Sequence, residues 1–300
     1  MSVPIMTPPS APGYKRNVVI DWNNARTRAI PWLLASPLLV YMAVVYAMPV
    51  VAMLLRSLND PSWSLDHYAA LAGDAVFLKV FWITLGTSLA VTFGCVVLAY
   101  PVALALSRAR STAPLILMVI LLPFWTSVLV RSYAWMVLLG RHGVINEALL
   151  ALGLIDQPLK LLNTTMATQI AMIHILLPYM ILPIANALRQ IDPSLPRAAW
   201  GLGATPWGTF RQVIFPLSMP GVAAGMLLVF VLALGFYITP AMVGSSSDIT
   251  LSMLIAQEVE QLNWGYAGTL SAVLLALALA MIGIGQLVPG VSNALRTTKS

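Results

Sequence analysis

Long apolar stretches fill most of the chain and alternate with short polar or turn-forming connections. A bilayer core about 30 Å thick is crossed by roughly 20 helical residues at 1.5 Å rise per residue. Six stretches meet this length, with approximate limits 31–55, 77–106, 113–139, 165–188, 217–243 and 266–291. The pattern therefore predicts an all-α integral membrane protein with six transmembrane helices.

Proline recurs inside these predicted spans. Membrane helices tolerate it because neighbouring helices and Ser or Thr hydroxyls can satisfy the backbone carbonyls that proline leaves without a partner. We expect kinks at the internal prolines, which are Pro37, Pro49, Pro101, Pro123, Pro178, Pro183 and Pro240.

The composition excludes a water-soluble enzyme. Hydrophobic residues make up 59% of the chain and charged residues 9%, whereas soluble domains carry about 25% charged residues. A single cysteine, Cys95, cannot form an intrachain disulfide. Neither a His-Glu-X-X-His motif nor an intramembrane Gly-X-Ser-Gly run occurs, so we predict no catalytic residue and no metal site.

The basic residues are sorted by side of the membrane. With the N-terminus inside, 11 of the 16 Lys and Arg residues fall on inner segments and 4 on outer segments. The positive-inside rule then predicts that residues 1–29, partly disordered, and residues 296–300 are cytoplasmic, with a transmembrane domain over 30–295. Because topology explains the net positive charge, no nucleic-acid partner is predicted.

The connection 190–216, between spans four and five, is more apolar and more structured than a plain linker. Asp192 or Ser194 can cap a short helix at its start. Thr205 followed by Pro206 is typical of the cap and first residue of a second helix. The pattern predicts a helix–turn–helix at the inner membrane surface.

Two faces of this element are distinctive. Ala199 and Gly203 lie four positions apart and permit close approach of another surface, and Gly203 can also end the first helix in a left-handed conformation. Trp207 and Phe210, three positions apart, share one side of the second helix. Two interpretations stay open: a docking element for a cytoplasmic partner, or an interfacial helix whose aromatic rings sit among lipid head groups.

Residues 197–216 read Arg197-Ala198-Ala199, three residues, Gly203, nine residues, Val213, one residue and Phe215-Pro216. This segment resembles the coupling loop of permease subunits of binding-protein-dependent ABC importers, whose pattern is Glu-Ala-Ala, three residues, Gly, nine residues, Ile, one residue and Leu-Pro. Arg197 replaces the usual Glu, which reverses the charge and leaves its contact open. The resemblance implies contact with an ATPase subunit through Arg197, Ala198, Ala199, Gly203, Trp207 and Phe210.

The segments 121–146 and 235–244 resemble the spermidine/putrescine-type branch of these permeases. The branch implies a bacterial inner-membrane protein, not itself an enzyme, that translocates a polyamine or related amine. Implied partners are ATP-binding-cassette subunits that bind ATP and Mg²⁺, a second permease subunit (a homologue or a copy), an external or periplasmic solute-binding protein and membrane lipid.

One alternative is a self-contained secondary transporter or channel. Such proteins usually show inverted repeats and ionisable groups within the membrane. We find no convincing internal repeat in the chain. A phosphate-binding Gly-X4-Gly-Lys-Ser/Thr loop is also missing, so the chain is not expected to hydrolyse ATP or to bind a cofactor by itself.

Arg131 is the one charge well inside a predicted span, which makes it a functional hypothesis by default. Since a cationic solute would not seek an arginine, we expect a structural or gating pairing instead. His174, in span four, is expected to be buried and hydrogen-bonded. Four aromatic residues line the path or anchor the membrane interface in two alternative interpretations: Tyr133, Trp135, Phe236 and Tyr237.

Three acidic residues, Asp248, Glu258 and Glu260, lie between spans five and six on the predicted outer side. They are candidates for contact with a solute-binding protein or for drawing cations toward the mouth. A solvated loop whose composition simply follows the topology is the alternative, and we favour it.

Overall fold

The computed structural model describes residues 25–59, 63–109 and 111–287, and these residues form helices joined by turns, without β-strands. Five helices are long and apolar enough to cross a membrane, and a bent helix pair supplies a sixth crossing if it counts as one span. The predicted all-α membrane fold is therefore confirmed. Most of the predicted N-terminal segment, the tail 296–300 and the last residues of span six, 288–291, lie outside the described residues.

The α-helices, numbered along the chain, are α1 Ala25–Met42, α2 Met48–Arg56, α3 Asp66–Gly73, α4 Ala75–Arg108, α5 Ala113–Leu121, α6 Val128–Leu139, α7 Val144–Ala151, α8 Thr165–Arg189, α9 Ser194–Gly201, α10 Pro206–Thr209, α11 Phe215–Leu234, α12 Ile238–Val243, α13 Leu251–Glu260 and α14 Trp264–Leu287. Contacts divide the chain into two compact units, Met1–Ala52 and Met53–Ser300.

Two prolines are accommodated by widened helical turns. The π-helix Ala43–Ala47 lies directly before Pro49, and the π-helix Phe210–Ile214 lies before Pro216. A proline ring clashes with the carbonyl four residues earlier, and in both places that carbonyl belongs to the π-helical turn. Each helix therefore continues past its proline.

The core of the second unit forms where α4, α8 and α11 pack together. Its fully buried side chains include Cys95 and Ala99 from α4 and Met180 from α8. Glycine brings α11 close to α8, because a Cβ added at Gly221 would contact Ala187 and lie 2.6 Å from the carbonyl oxygen of Pro183. Small residues at helix contacts are the usual means of close packing in membranes.

The third and fifth predicted spans, 113–139 and 217–243, are broken close to Pro123 and Pro240, two of the prolines where kinks were expected. The helical stretch Ala113–Trp125, whose end is the 3-10 helix Leu122–Trp125, is bent by 96° from Val128–Ala151. The fifth span ends at Leu234 and resumes as α12 after three non-helical residues. The helix that contains the fifth span begins before the predicted span, at Pro206.

Hydroxyl groups satisfy backbone groups at both breaks. The Thr126 hydroxyl donates to the Pro123 carbonyl (2.7 Å), and the Ser127 hydroxyl accepts from the Leu129 amide (3.3 Å). At the second break, the Ser252 hydroxyl donates to the carbonyl of Phe236 (2.8 Å). Non-helical backbone inside a membrane needs such partners because lipid supplies none.

One carboxylate joins the N-terminal ends of two spans, α4 and α14. Asp74 caps α4 by accepting from the Val76 amide (2.8 Å) and also accepts from the Tyr266 hydroxyl of α14 (2.9 Å). The hydrogen bond from the Val76 amide, and to a lesser extent the one from the Tyr266 hydroxyl, holds the pKa of Asp74 below its usual value.

We expect Gly221→Val to destabilise the helix core, because the new side chain overlaps the backbone of α8 and overpacking costs about 1–3 kcal/mol. Gly86→Val is the matched control, since nothing lies within 4 Å of the Cβ position there. The thermal midpoint in mild detergent should fall for the first variant only. Equal midpoints for the two variants would contradict the close approach.

Candidate functional site

The loop that follows α8 begins with a local carboxylate contact. Asp192 accepts a hydrogen bond from the amide of Ser194, the first residue of α9 (2.8 Å), but the cap position is held by Pro193, so neither Asp192 nor Ser194 is the predicted cap. The hydrogen bonds from Ser194 lower the pKa of Asp192, and the positive charge of Arg197 contributes less.

Gly203 ends α9 in a left-handed conformation, with φ of +86°. The Ala204 amide donates to the Ala199 carbonyl (3.0 Å) and the Gly203 amide donates to the Trp200 carbonyl (2.9 Å). This is the hydrogen-bond pattern of a Schellman C-cap, which favours glycine at the left-handed position. A Cβ at Gly203 would have nothing within 4 Å, so this side of the loop is uncovered.

Arginines line a cavity of about 730 Å³ behind the loop. Arg108 and Arg197 contribute positive charge, and Trp200 contributes an apolar wall. Arg197 donates from Nε to the Pro193 carbonyl (2.9 Å), so its side chain runs back along its own helix. The buried hydroxyl of Thr209, also in the lining, has no hydrogen-bond partner.

The exposed surface of the loop is apolar. Trp200 is 54% exposed, Leu202 90% and Trp207 69%. Trp200 and Leu202 were not among the predicted contact residues. The signal that could have identified them is that both are large apolar residues in a segment outside the predicted spans. Phe210 is half-buried, so it does not extend the exposed side of Trp207 as the spacing suggested.

Phe210 instead connects the loop to the spans. Its ring stacks on Trp207 (centroids 5.4 Å apart) and meets the edge of Tyr100 in α4 (5.8 Å) and the ring of Phe215 in α11 (6.1 Å). Tyr100 and Ser218 share a hydrogen bond of 2.8 Å between their hydroxyls. The sequence pattern did not identify these two residues, because Tyr100 is distant from the loop in the chain and Ser218 lies in the next predicted span.

A second group of candidates lies within the membrane, where α6 meets α8 and α12. Ser132 and Thr239 share a buried hydrogen bond of 2.7 Å between the two broken spans. Trp135 donates from its indole to Nδ1 of His174 (3.2 Å). His174 is exposed, so the predicted burial was wrong although the hydrogen bond is present. Nε of Arg131 is buried and has no hydrogen-bond partner.

The other predicted pathway residues are more scattered. Phe236 packs against the helix core at the second break, and Tyr237 beside it is 40% exposed. Tyr133 is 57% exposed on α6. The structure therefore brings Arg131 and Trp135 together with His174.

The three outer acidic residues have different surroundings. Asp248 is half-buried and accepts hydrogen bonds from the hydroxyls of Thr165 and Ser247. Glu258 accepts from the Asn263 amide group (2.9 Å), and Glu260 is exposed. Within the described part of the chain, no group of three or more His, Cys, Asp or Glu residues is arranged to hold a metal ion.

Several apolar spans, two of them broken within the membrane, define a polytopic protein of the transport class. The chain belongs to the family described as binding-protein-dependent transport system inner membrane component, which matches residues 24–293. It is thus a multi-pass inner-membrane permease subunit of an ABC importer.

Two curated relatives illustrate the family. The spermidine/putrescine transport system permease protein PotB of Escherichia coli K12 is 36% identical over 214 residues, which are 71% of this chain and 78% of PotB. The inner membrane ABC transporter permease protein YdcU of the same organism is 31% identical over 309 aligned positions, covering 94% of this chain and 97% of YdcU.

The fold also matches a solved structure. A chain of the bacterial alginate ABC transporter, crystallised with its alginate pentasaccharide-bound periplasmic protein, superposes with a TM-score of 0.70. The match covers 88% of this chain and 95% of that chain at 18% identity, so it supports the fold alone.

Phe210→Ala should loosen the loop from the spans. Phe210 makes three ring contacts, whereas Trp207 makes one, and aromatic pairs contribute about 0.5–1.5 kcal/mol each. We expect Phe210→Ala to raise the rate of proteolytic cleavage within residues 194–216 about tenfold, and Trp207→Ala to change it much less. Equal cleavage rates in the two variants would show that the ring contacts do not hold the loop.

Proposed function

We propose that this permease imports a polyamine such as spermidine or putrescine, or a related amine. The printed function of its 36% identical relatives supports this substrate class, together with the resemblance of segments 121–146 and 235–244 to that branch. No Asp or Glu lies within the spans, so cations in transit would be met by aromatic faces. Selectivity then resides mainly in the external solute-binding protein.

The loop 190–216 is the contact for the ATPase subunit, which binds ATP and Mg²⁺. The observation that carries this assignment is an uncovered helix–turn–helix that presents Trp200, Leu202 and Trp207 around the open Gly203 turn. Exposed apolar patches of this kind mark protein contacts. The small side chains of Ala198 and Ala199 allow the partner to approach α9 closely, and Arg197 then pairs with an acidic residue of the partner.

Movement of the loop reaches the spans through the aromatic cluster of Trp207, Phe210, Tyr100 and Phe215. When the ATPase pair closes, the loop shifts as a unit, and ring contacts with α4 and α11 carry the shift into the helix core. Rigid-body rocking of packed helices is a common way to alternate between inward-facing and outward-facing states.

Both termini are cytoplasmic in this proposal, since the basic residues then lie predominantly inside. The segments around α7 and α13 face outward toward the solute-binding protein. Among the outer acidic residues, Glu260 is the most available for that contact, whereas Asp248 and Glu258 are already engaged within the chain.

The translocation path runs along the broken third and fifth spans, where non-helical backbone is accommodated best. Trp135 takes part in gating this path together with Arg131. The remaining candidate lining residues are Tyr133, Phe236 and Tyr237.

Gly203→Asp should abolish both uptake and recovery of the ATPase subunit. The aspartate adds an unpaired charge to a face that becomes buried in the complex, which we expect to lower co-purification in mild detergent at least about tenfold. The measurement is mass spectrometry of the proteins that co-purify with the tagged permease.

Gly153→Asp is a closely matched control. Gly153 also has a positive φ (+65°), with nothing within 4 Å of its Cβ position, and it ends α7 with the same hydrogen-bond pattern at the other end of α8. Backbone strain is therefore similar in both variants. Equal loss of the ATPase subunit in both would refute the coupling assignment, and recovery of the wild-type permease alone would favour a self-contained transporter.

The solute is tested separately by uptake of labelled spermidine into cells that lack the chain and into cells in which it is restored. We expect spermidine uptake only in the restored cells, and we expect excess unlabelled putrescine, but not sulfate, to compete with it. Equal spermidine uptake in the two kinds of cell would exclude the polyamine class while leaving the importer assignment intact.

A further inference from the structure

Arg131 lies close to the middle of the membrane. α8 has 25 residues, with His174 nine positions and Tyr179 fourteen positions after its first residue. At 1.5 Å rise per residue, the helix is about 37 Å long, and the two residues lie about 14 and 21 Å from its start. Trp135 binds His174, and Phe124 packs on Tyr179 with ring centroids 5.3 Å apart. Arg131 lies between Phe124 and Trp135 in the chain, so we place it between the levels of Tyr179 and His174.

Among the residues that the structure describes, none compensates the charge of Arg131. Its Nε is buried and lacks a hydrogen-bond partner. The six predicted spans contain no Asp or Glu residue, and the one carboxylate in the helices long enough to cross a membrane is Glu147 in α7, near the end of the bent helix pair. A charged side chain at mid-membrane is costly unless a partner of opposite charge or a polar cavity meets it.

The surroundings of Arg131 suit a protein neighbour better than lipid tails. His174 is exposed beside Trp135, and Trp125 at the break is 90% exposed. A polar histidine and a broken helix are tolerated at membrane depth where protein or water covers them. Lipid phosphates lie near the surface of a core about 30 Å thick, too far from this level to serve as the counter-ion.

We propose that Arg131 pairs with an aspartate or glutamate in a spanning helix of the second permease subunit. The pairing rests on the proposed function, because a polyamine carries no anionic group that could take this role. A second copy of this chain has no intramembrane carboxylate to offer. A guanidinium–carboxylate pair is directional and strong in a dry environment, so it also sets the register between the two subunits.

Crosslinking identifies the neighbour directly. A photo-reactive benzoylphenylalanine replaces Ala134, which is exposed three positions after Arg131, so that the arginine remains intact. In the complex purified with its natural partners, we expect crosslinks to a spanning helix of a different permease chain, within two turns of an Asp or Glu. Crosslinks only to a second copy, only to lipid, or to a helix without a nearby carboxylate would each overturn the proposal.

Charge substitution tests the pairing. Arg131→Gln should lower recovery of the second permease about tenfold, while Arg131→Lys retains most of it. Lys79→Gln, at an exposed outer position, is the control and should have no effect. Arg131→Glu should be rescued by changing the crosslinked acidic residue to arginine, and failure of that rescue together with unchanged Arg131→Gln recovery would exclude the pair.

Different measurements test the Arg131 pairing and the importer assignment. Recovery of an ATPase subunit with the wild-type chain, and its loss in Gly203→Asp, report on the loop at the inner surface. A complex that contains the ATPase subunit but two copies of this chain would overturn the Arg131 pairing and leave the proposed function standing.

Discussion

The bilayer core offers no water to hydrogen-bond the peptide backbone, and the rest of this structure depends on that constraint. It makes the spans helical, and it decides how they can be interrupted. At the break in the third span, Thr126 and Ser127 supply hydroxyl partners to the backbone, and at the break in the fifth span Ser252 does so. The two broken spans are then joined by the buried Ser132–Thr239 hydrogen bond.

The same constraint separates the molecule into a rigid part and an adaptable part. α4, α8 and α11 pack closely through small residues, with Gly221 against the backbone of α8. Beside this core, α6 and α12, the second halves of the two broken spans, carry the buried polar residues Ser132 and Thr239. A transport path needs both properties, because the solute requires polar or aromatic contacts while the core must transmit movement without deforming.

The inner loop is linked to that core by aromatic packing and by few polar contacts. Phe210 has rings on three sides, from Trp207, Tyr100 and Phe215. The apolar side chains beyond it remain exposed, as expected for a surface that a partner covers. The π-helical turn before Pro216 lets the loop helix continue into α11, so the second helix of the loop and the span form one continuous helix.

Much of the fold could be predicted from the sequence because apolar length and charge placement act locally. The spans around α4 and α8 were located within two residues at each end, and the spacing of Ala198, Ala199, Gly203 and Pro216 indicated the loop. Kinks were expected at Pro123 and Pro240, close to the two breaks, but the loss of helix at residues 126–127 and 235–237 was not predicted, because the hydropathy there is that of a continuous span.

The sequence by itself determined the class of protein, its helical content, the position of the inner loop and the absence of acidic residues from the spans. Only the tertiary structure decided that Phe210 faces Tyr100, that His174 is exposed and bound to Trp135, and that Nε of Arg131 is buried without a partner. The physical reason is distance along the chain: hydropathy and capping are properties of neighbouring residues. Contacts between residues 39 or more than 100 positions apart depend on how the helices pack.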